Sequence, residues 1–115
     1  MTQNKELNLL KDTLEERKAE DIVSFDISAS SPFATYALIA TAPNPRALGA
    51  YADHLEEALL THDYPVQIKE GEPDSGWIIV QGDEVLVHLL LASNRRMLDL
   101  EGLLKEHNRL ASKRH

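Results

Sequence analysis

Asp21 and Asp26 stand five positions apart in KAEDIVSFDI, residues 18–27. Paired carboxylates serve both metal-assisted catalysis and general acid–base chemistry, so this segment is the first place to look for an active site. The spacing argues against one. Ile22–Ile27 reads as a strand with Val23, Phe25 and Ile27 on one face. The acids then fall at its start and end, a separation that does not by itself bring their oxygens together. A turn acid and a solvated strand residue account for them better. His54, His62 and His88 show no His-x-His or HExxH spacing that would hold a metal. Ser28, Ser30 and Ser31 do not form a nucleophile elbow, Gly71 and Gly76 do not build a phosphate-cradling loop, and no Walker lysine follows a glycine run. The chemical inventory is thin, whereas the apolar strands are strong, and an interaction protein ranks above an enzyme.

The elements that carry these residues follow from periodicity. Leu7, Leu10 and Leu14 recur at helical spacing and predict an amphipathic helix over 4–17. Ser28–Ser31 and Pro32 break the chain after the first strand, and the nearly continuous apolar run Tyr36–Ala42 predicts an interior strand. Asn44 followed by Pro45 is a helix start, a capping side chain and then a residue needing no backbone N–H. Leu48, Ala52, Leu55 and Leu59 give the helix over 45–61 its core stripe. A short strand near Val66–Lys69 and a turn over Gly71–Gly76 come next, and a short helix from Ser93 to Leu98 follows the last strand.

The sharpest local signal is GWIIVQGDEVLVHLLL, residues 76–91. Two apolar strands flank Gly82-Asp83, a pair suited to a tight hairpin turn in which glycine supplies a positive φ. With that turn, Gln81 faces Glu84, Val80 faces Val85, Ile78 faces Val87 and Trp77 faces His88. One face then carries Ile78, Val80, Val85, Val87, Leu89 and Leu91 and belongs to the core. The other carries Trp77, Ile79, Leu86, His88 and Leu90 and ends in Gln81 and Glu84; a helix covers it or a partner meets it. Trp77, near the strand start, is the member placed to stay accessible, and aromatic anchors are common in interfaces. The whole reads as an α/β domain over 1–104, a mixed β-sheet flanked by helices, with Leu98, Leu100, Leu103 and Leu104 as a last apolar patch. Residues 105–115 read as a polar, frayed tail.

Composition narrows the function classes. A chain of 115 residues suffices for one hydrophobic core, and 43% hydrophobic with 27% charged residues is a globular composition. The absence of cysteine excludes disulfides, iron–sulfur clusters and thiolate zinc sites. The first residues lack the basic start and apolar core of a signal peptide, and no run reaches membrane-spanning length, so a cytoplasmic protein without a membrane partner is expected. A net charge of −7 opposes dedicated binding of free nucleic acid through phosphate neutralisation, although local contacts through Arg95 and Arg96 stay open. The same charge favours approach to a basic partner, such as a ribosomal protein.

KAEDIVSFDI, YALIATAPNPR (36–46), GWIIVQGDEVLVHLL and RRMLDLEGLL (95–104) together resemble, in order and spacing, the ribosomal silencing factor family, also called Iojap-like. Ala42 stands where that family usually has glycine, Pro45 where it has asparagine, Leu98 where it has tyrosine and Leu104 where it has tryptophan. Each replacement remains compatible with a turn, a helix start or apolar packing. The resemblance implies a nucleotidyltransferase-like fold without its catalytic site and no cofactor. It also implies a translation repressor that binds the large ribosomal subunit, chiefly its fourteenth ribosomal protein, and sterically blocks joining with the small subunit. A homodimer is a further possibility for the family. Trp77, Gly82, Asp83 and His88 are then the expected partner-binding residues, the last three shaping the hairpin. The competing activity, metal-dependent nucleotidyl transfer, rests on fold similarity alone. It needs metal-organising acids beside a glycine–serine nucleotide element, which the chain lacks.

Overall fold

The computed structural model describes residues 4–98 together with Gly102. Helix α1 (Lys5–Glu16) is followed by strands β1 (Glu20–Asp26) and β2 (Tyr36–Ala42) and helix α2 (Pro45–Thr61). Strands β3 (Ile68–Glu70), β4 (Trp77–Gln81) and β5 (Val85–Leu91) come next, and helix α3 (Ala92–Leu98) ends the described chain. The helix starts are those the capping residues dictate. The Asn4 side chain accepts from Leu7 N–H at 2.9 Å, and Asn44 accepts from Ala47 N–H at 2.8 Å just ahead of Pro45. The expected patch residues Leu100, Leu103 and Leu104 and the tail 105–115 lie outside the described residues.

The five strands form one sheet in the order β1-β2-β5-β4-β3. β2 and β5 run parallel and the other neighbours antiparallel, so the sheet is mixed, as expected. Helices α1 and α2 pack on one face. Their buried Leu10, Leu14, Leu48, Leu55 and Leu59 meet Leu38, Ala40, Ile78, Val80, Val87 and Leu89 from the central strands. This is the main core. On the opposite face Ile27, Ala34 and Ala37 form a smaller cluster with Phe25 and Leu86, where the loop after β1 folds over one end of the sheet.

The hairpin register differs from the sequence expectation by two residues. Ile78 pairs with Leu89, Val80 with Val87 and Gln81 with Leu86, and Gly82 N–H donates to the Val85 carbonyl at 3.1 Å. The turn residues are therefore Asp83 and Glu84, not Gly82 and Asp83. A shift of two leaves every side chain on its expected face, because the strand period is two. Gly82 does not have the positive φ expected of it; Gly71 and Gly76 do, at 107° and 80°.

The reason for the shift is a side chain from the other end of the sequence. Glu6, in the first turn of α1, is only 2% exposed. Its carboxylate accepts from Glu84 N–H at 3.0 Å and 3.2 Å and from Val85 N–H at 3.0 Å. A Cβ on Gly82 would lie 2.5 Å from Glu6 Oε2 and 2.8 Å from Leu59 Cδ2, so glycine is needed here for space. Burial pushes the Glu6 pKa upward, opposed by the backbone N–H donors.

Glu6→Ala strands two turn N–H groups beside a void and should lower unfolding free energy in urea melts by about 3 kcal/mol. Gly82→Ala should cost about 1–3 kcal/mol in the natural chain and less in the Glu6→Ala background, where one of the two obstructions is gone. Equal costs in both backgrounds would show that the carboxylate does not occupy the glycine's missing side-chain space.

Candidate interaction face

Asp21 and Asp26 are held apart in different local structures. Asp21 is not a turn residue. It lies within β1 at an irregularity in the pairing between Glu20 and Val23, in left-handed backbone with φ 49°. Its carbonyl accepts from Arg95 Nη1 at 2.6 Å, and the same nitrogen donates to the buried Thr41 Oγ1 at 2.7 Å. Arg95 thereby fastens α3 to the first two strands. Asp26 is exposed at the end of β1, where Oδ1 accepts from Ser28 Oγ at 2.6 Å and Ser28 N–H at 2.9 Å. The Ser28 hydroxyl and backbone donors hold its pKa below the usual value. Among the described residues, no group of three or more histidine, cysteine, aspartate or glutamate side chains is placed to hold a metal ion.

The expected binding residues separate into two places. Trp77 and His88 meet on the sheet face opposite α1 and α2. They are diagonal neighbours in the observed register, with Trp77 opposite Leu90 and His88 opposite Ile79. Their ring centroids are 5.9 Å apart at 40°, and Trp77 Nε1–H donates to His88 Nδ1 at 3.3 Å. Indole nitrogen is a donor only, so Nδ1 is an acceptor and the neutral ring carries its proton on Nε2. Burial between Ile39 of β2 and Ile79 of β4 lowers the His88 pKa from 6.5 to about 4. The imidazole is neutral at physiological pH, with one lone pair already engaged.

Gly82 and Asp83 sit at the far end of β4, roughly 16 Å from Trp77 at a rise of about 3.3 Å per residue. Gly82 is buried against α1, whereas Asp83 is exposed. The four residues therefore do not make one contact point. Between the two ends runs an apolar band of half-buried Val23, Phe25, Ile79 and Leu86 around the fully buried Ile39 and Leu90. Gly76 sets the start of β4: its left-handed backbone lies against Asn94, whose Nδ2 donates to Ser75 O at 3.1 Å.

Glu6 and Phe33 escaped the sequence reading. Glu6 looks like any solvated acid in a helix's first turn, and no local signal marks it. Phe33, 80% exposed, follows Pro32 in a segment that reads only as a break. A large aromatic residue among the small residues of the 28–35 loop is the available clue.

His88 sets a pH dependence. The unfolded chain takes up this proton near pH 6.5 and the folded chain only near 4. The stability due to neutral burial is thus complete above about pH 6.5 and is lost as pH falls toward 4, by roughly 3 kcal/mol in all. Glu6 acts with the opposite sign: its raised pKa makes acidification favourable from that pKa down to 4.5. Chemical denaturation of the natural chain and His88→Gln between pH 7.5 and 4.5 isolates the histidine, and the difference in unfolding free energy should change mainly below pH 6.5.

Comparison with known proteins agrees with this architecture. The family described as "Ribosomal silencing factor during starvation" matches residues 1–115. Ribosomal silencing factor RsfS of Haemophilus influenzae is 30% identical over 97 residues, covering 84% of this chain and 95% of its own. The Bacillus subtilis protein of the same name is 26% identical, covering 90% of this chain and 87% of its own. A crystal structure from Chromobacterium violaceum superposes with a TM-score of 0.85 at 26% identity, over 91% of this chain and 88% of that one. A second, from Bacillus halodurans, reaches 0.76 at 23% identity, over 84% and 90%, and supports the fold. With a match along its whole length and these relatives, the chain belongs to the ribosomal silencing factor family.

Proposed function

We propose that this protein represses translation in the cytoplasm by binding the large ribosomal subunit, chiefly its fourteenth ribosomal protein, and sterically blocking association with the small subunit. The observation that carries the reading is the family match over residues 1–115, a family associated with ribosomal silencing. Two physical features support it. The net charge of −7 favours encounter with a basic protein surface. The sheet face bearing Trp77 offers half-buried apolar area and an aromatic anchor.

Steric exclusion requires no reacting group, only a surface and enough bulk. That suits a face on which the histidine is uncharged and hydrogen-bonded to the tryptophan. In this reading the fold resembles that of nucleotidyltransferases but serves as a platform. Trp77 supplies the contact, His88 fixes the indole's orientation, and Gly82 with Asp83 shapes the hairpin end.

Purified protein should co-sediment with isolated large subunits and reduce the yield of joined ribosomes when small subunits are added. Absence of retention at both low and moderate salt rejects the mechanism. Trp77→Ala should weaken large-subunit binding by about 2 kcal/mol, and its melting point should fall because His88 Nδ1 loses its donor, while the protein still unfolds cooperatively. A folded Trp77→Ala protein that binds normally removes this residue from the site.

A further inference from the structure

We infer that Phe33 is a second partner anchor, displayed by a pre-organised loop and directed at a basic protein surface. The side chain is the most exposed large apolar group among the described residues, at 80%. Exposure alone means little, since isolated apolar residues on surfaces are ordinary. What distinguishes Phe33 is how firmly its backbone is held while its ring is left in water.

Hydrogen bonds reach the loop from both sides of the ring. Ser31 Oγ accepts from Phe33 N–H at 3.2 Å and from Ala34 N–H at 3.3 Å. The Phe33 carbonyl accepts from Gln81 Nε2 at 2.9 Å, a buried side chain rooted in β4. Ser30 N–H and Ser31 N–H donate to Ile27 O at 3.0 and 2.9 Å, and Ile27 N–H donates to Thr35 O at 2.8 Å, which closes the loop on itself. Thr35 N–H then donates to Glu84 O at 2.8 Å, tying the loop to the hairpin turn. Ile27 and Ala34 are buried beneath it. A ring carried on so constrained a backbone loses little loop freedom on binding, the condition that makes an aromatic residue an effective anchor.

The surroundings select the partner's chemistry. Phe33 lies on a shallow cleft of about 310 Å³ whose other lining residues are Ser28, Ser31, Pro32, Ala34, Thr35, Asp83 and Glu84. Two carboxylates and no cation line it, and Asp26 hydrogen-bonds to Ser28 at its edge. Such a cleft repels a phosphate backbone and suits a lysine or arginine whose cation rests on the ring and pairs with Asp83. The occupant is therefore a basic protein segment, not RNA. This rests on the large-subunit reading and deepens it, because the same partner would span from Trp77 across the apolar band to Phe33.

The test compares the natural chain, Phe33→Ala and Phe33→Leu for binding to intact large subunits, to the basic proteins extracted from them, and to their stripped RNA. Thermal melts confirm folding, and the outward ring predicts no shift. Phe33→Ala should bind intact subunits and the extracted proteins about tenfold or more weakly, Phe33→Leu should fall between, and stripped RNA should not be retained. Equal binding by Phe33→Ala and the natural chain overturns the anchor while leaving the large-subunit reading intact. Phe33-dependent retention on stripped RNA overturns the choice of partner. Failure of the natural chain to bind subunits overturns both.

Discussion

A carboxylate buried at the start of α1 holds the hairpin that supplies two of the sheet's five strands. Glu6 accepts the backbone N–H groups of Glu84 and Val85, and the carbonyl of the same Glu84 accepts from Thr35 and Tyr36 N–H at 2.8 and 3.1 Å. One peptide segment therefore joins the first helix, the β4–β5 turn, the loop after β1 and the entry to β2. The hydrogen bonds are few, but they join segments far apart in sequence. β5 is the strand between β2 and β4, so the position of its first residue sets the register on both sides. A buried ion is costly unless hydrogen-bonded, and here burial and backbone donors pull the Glu6 pKa in opposite directions.

From that register comes the division of labour between faces. Residues of one parity along β4 and β5 join the helix-backed core, and those of the other parity form the band from Trp77 to Leu86. The band's polar groups are satisfied within the protein. Trp77 donates to His88, Gln81 donates to the Phe33 carbonyl, and Thr41 Oγ1 accepts from Arg95. Among the described residues no buried side-chain nitrogen or oxygen lacks a partner. Such a surface is apolar and ordered. It is suited to being covered, while a neutral histidine held as an acceptor is poorly placed to move protons at neutral pH.

Much of this was legible in the sequence, for identifiable reasons. The helix over 45–61 is bounded by Asn44-Pro45, and the strand 36–42 by its unbroken apolar run; both have the predicted limits. The face assignment of the hairpin survived an error in its pairing, since an even slip conserves parity and an odd one would have inverted it. The error itself was physical. Gly82-Asp83 is a good turn by local chemistry, but the glycine serves the Glu6 carboxylate 76 positions earlier, a contact that local patterning does not contain. Asp21 reads as a turn acid for a similar reason, because a left-handed strand irregularity bound by Arg95 has no local signature. The chemical types of Trp77 and His88 were visible, but their neighbourhood and the exclusion of Gly82 from it required the fold.

Two departures from the usual family residues, Ala42 and Pro45, show how little the fold asks of those positions. Ala42 ends β2 in the core at 1% exposure, in backbone that any small residue can adopt, since it is not left-handed. A glycine would gain nothing there except flexibility, and alanine fills the space beside the helices. Pro45 occupies the first turn of α2, where the backbone N–H has no intrahelical partner and the Asn44 side chain already caps Ala47. Replacing asparagine by proline at that point removes a donor the helix does not use and fixes φ at a helical value. Both substitutions lie away from the Glu6 anchorage and from the faces of Trp77 and Phe33. The fold can therefore change at these places without disturbing the hairpin register, and it is that register which decides which residues the Trp77 face carries.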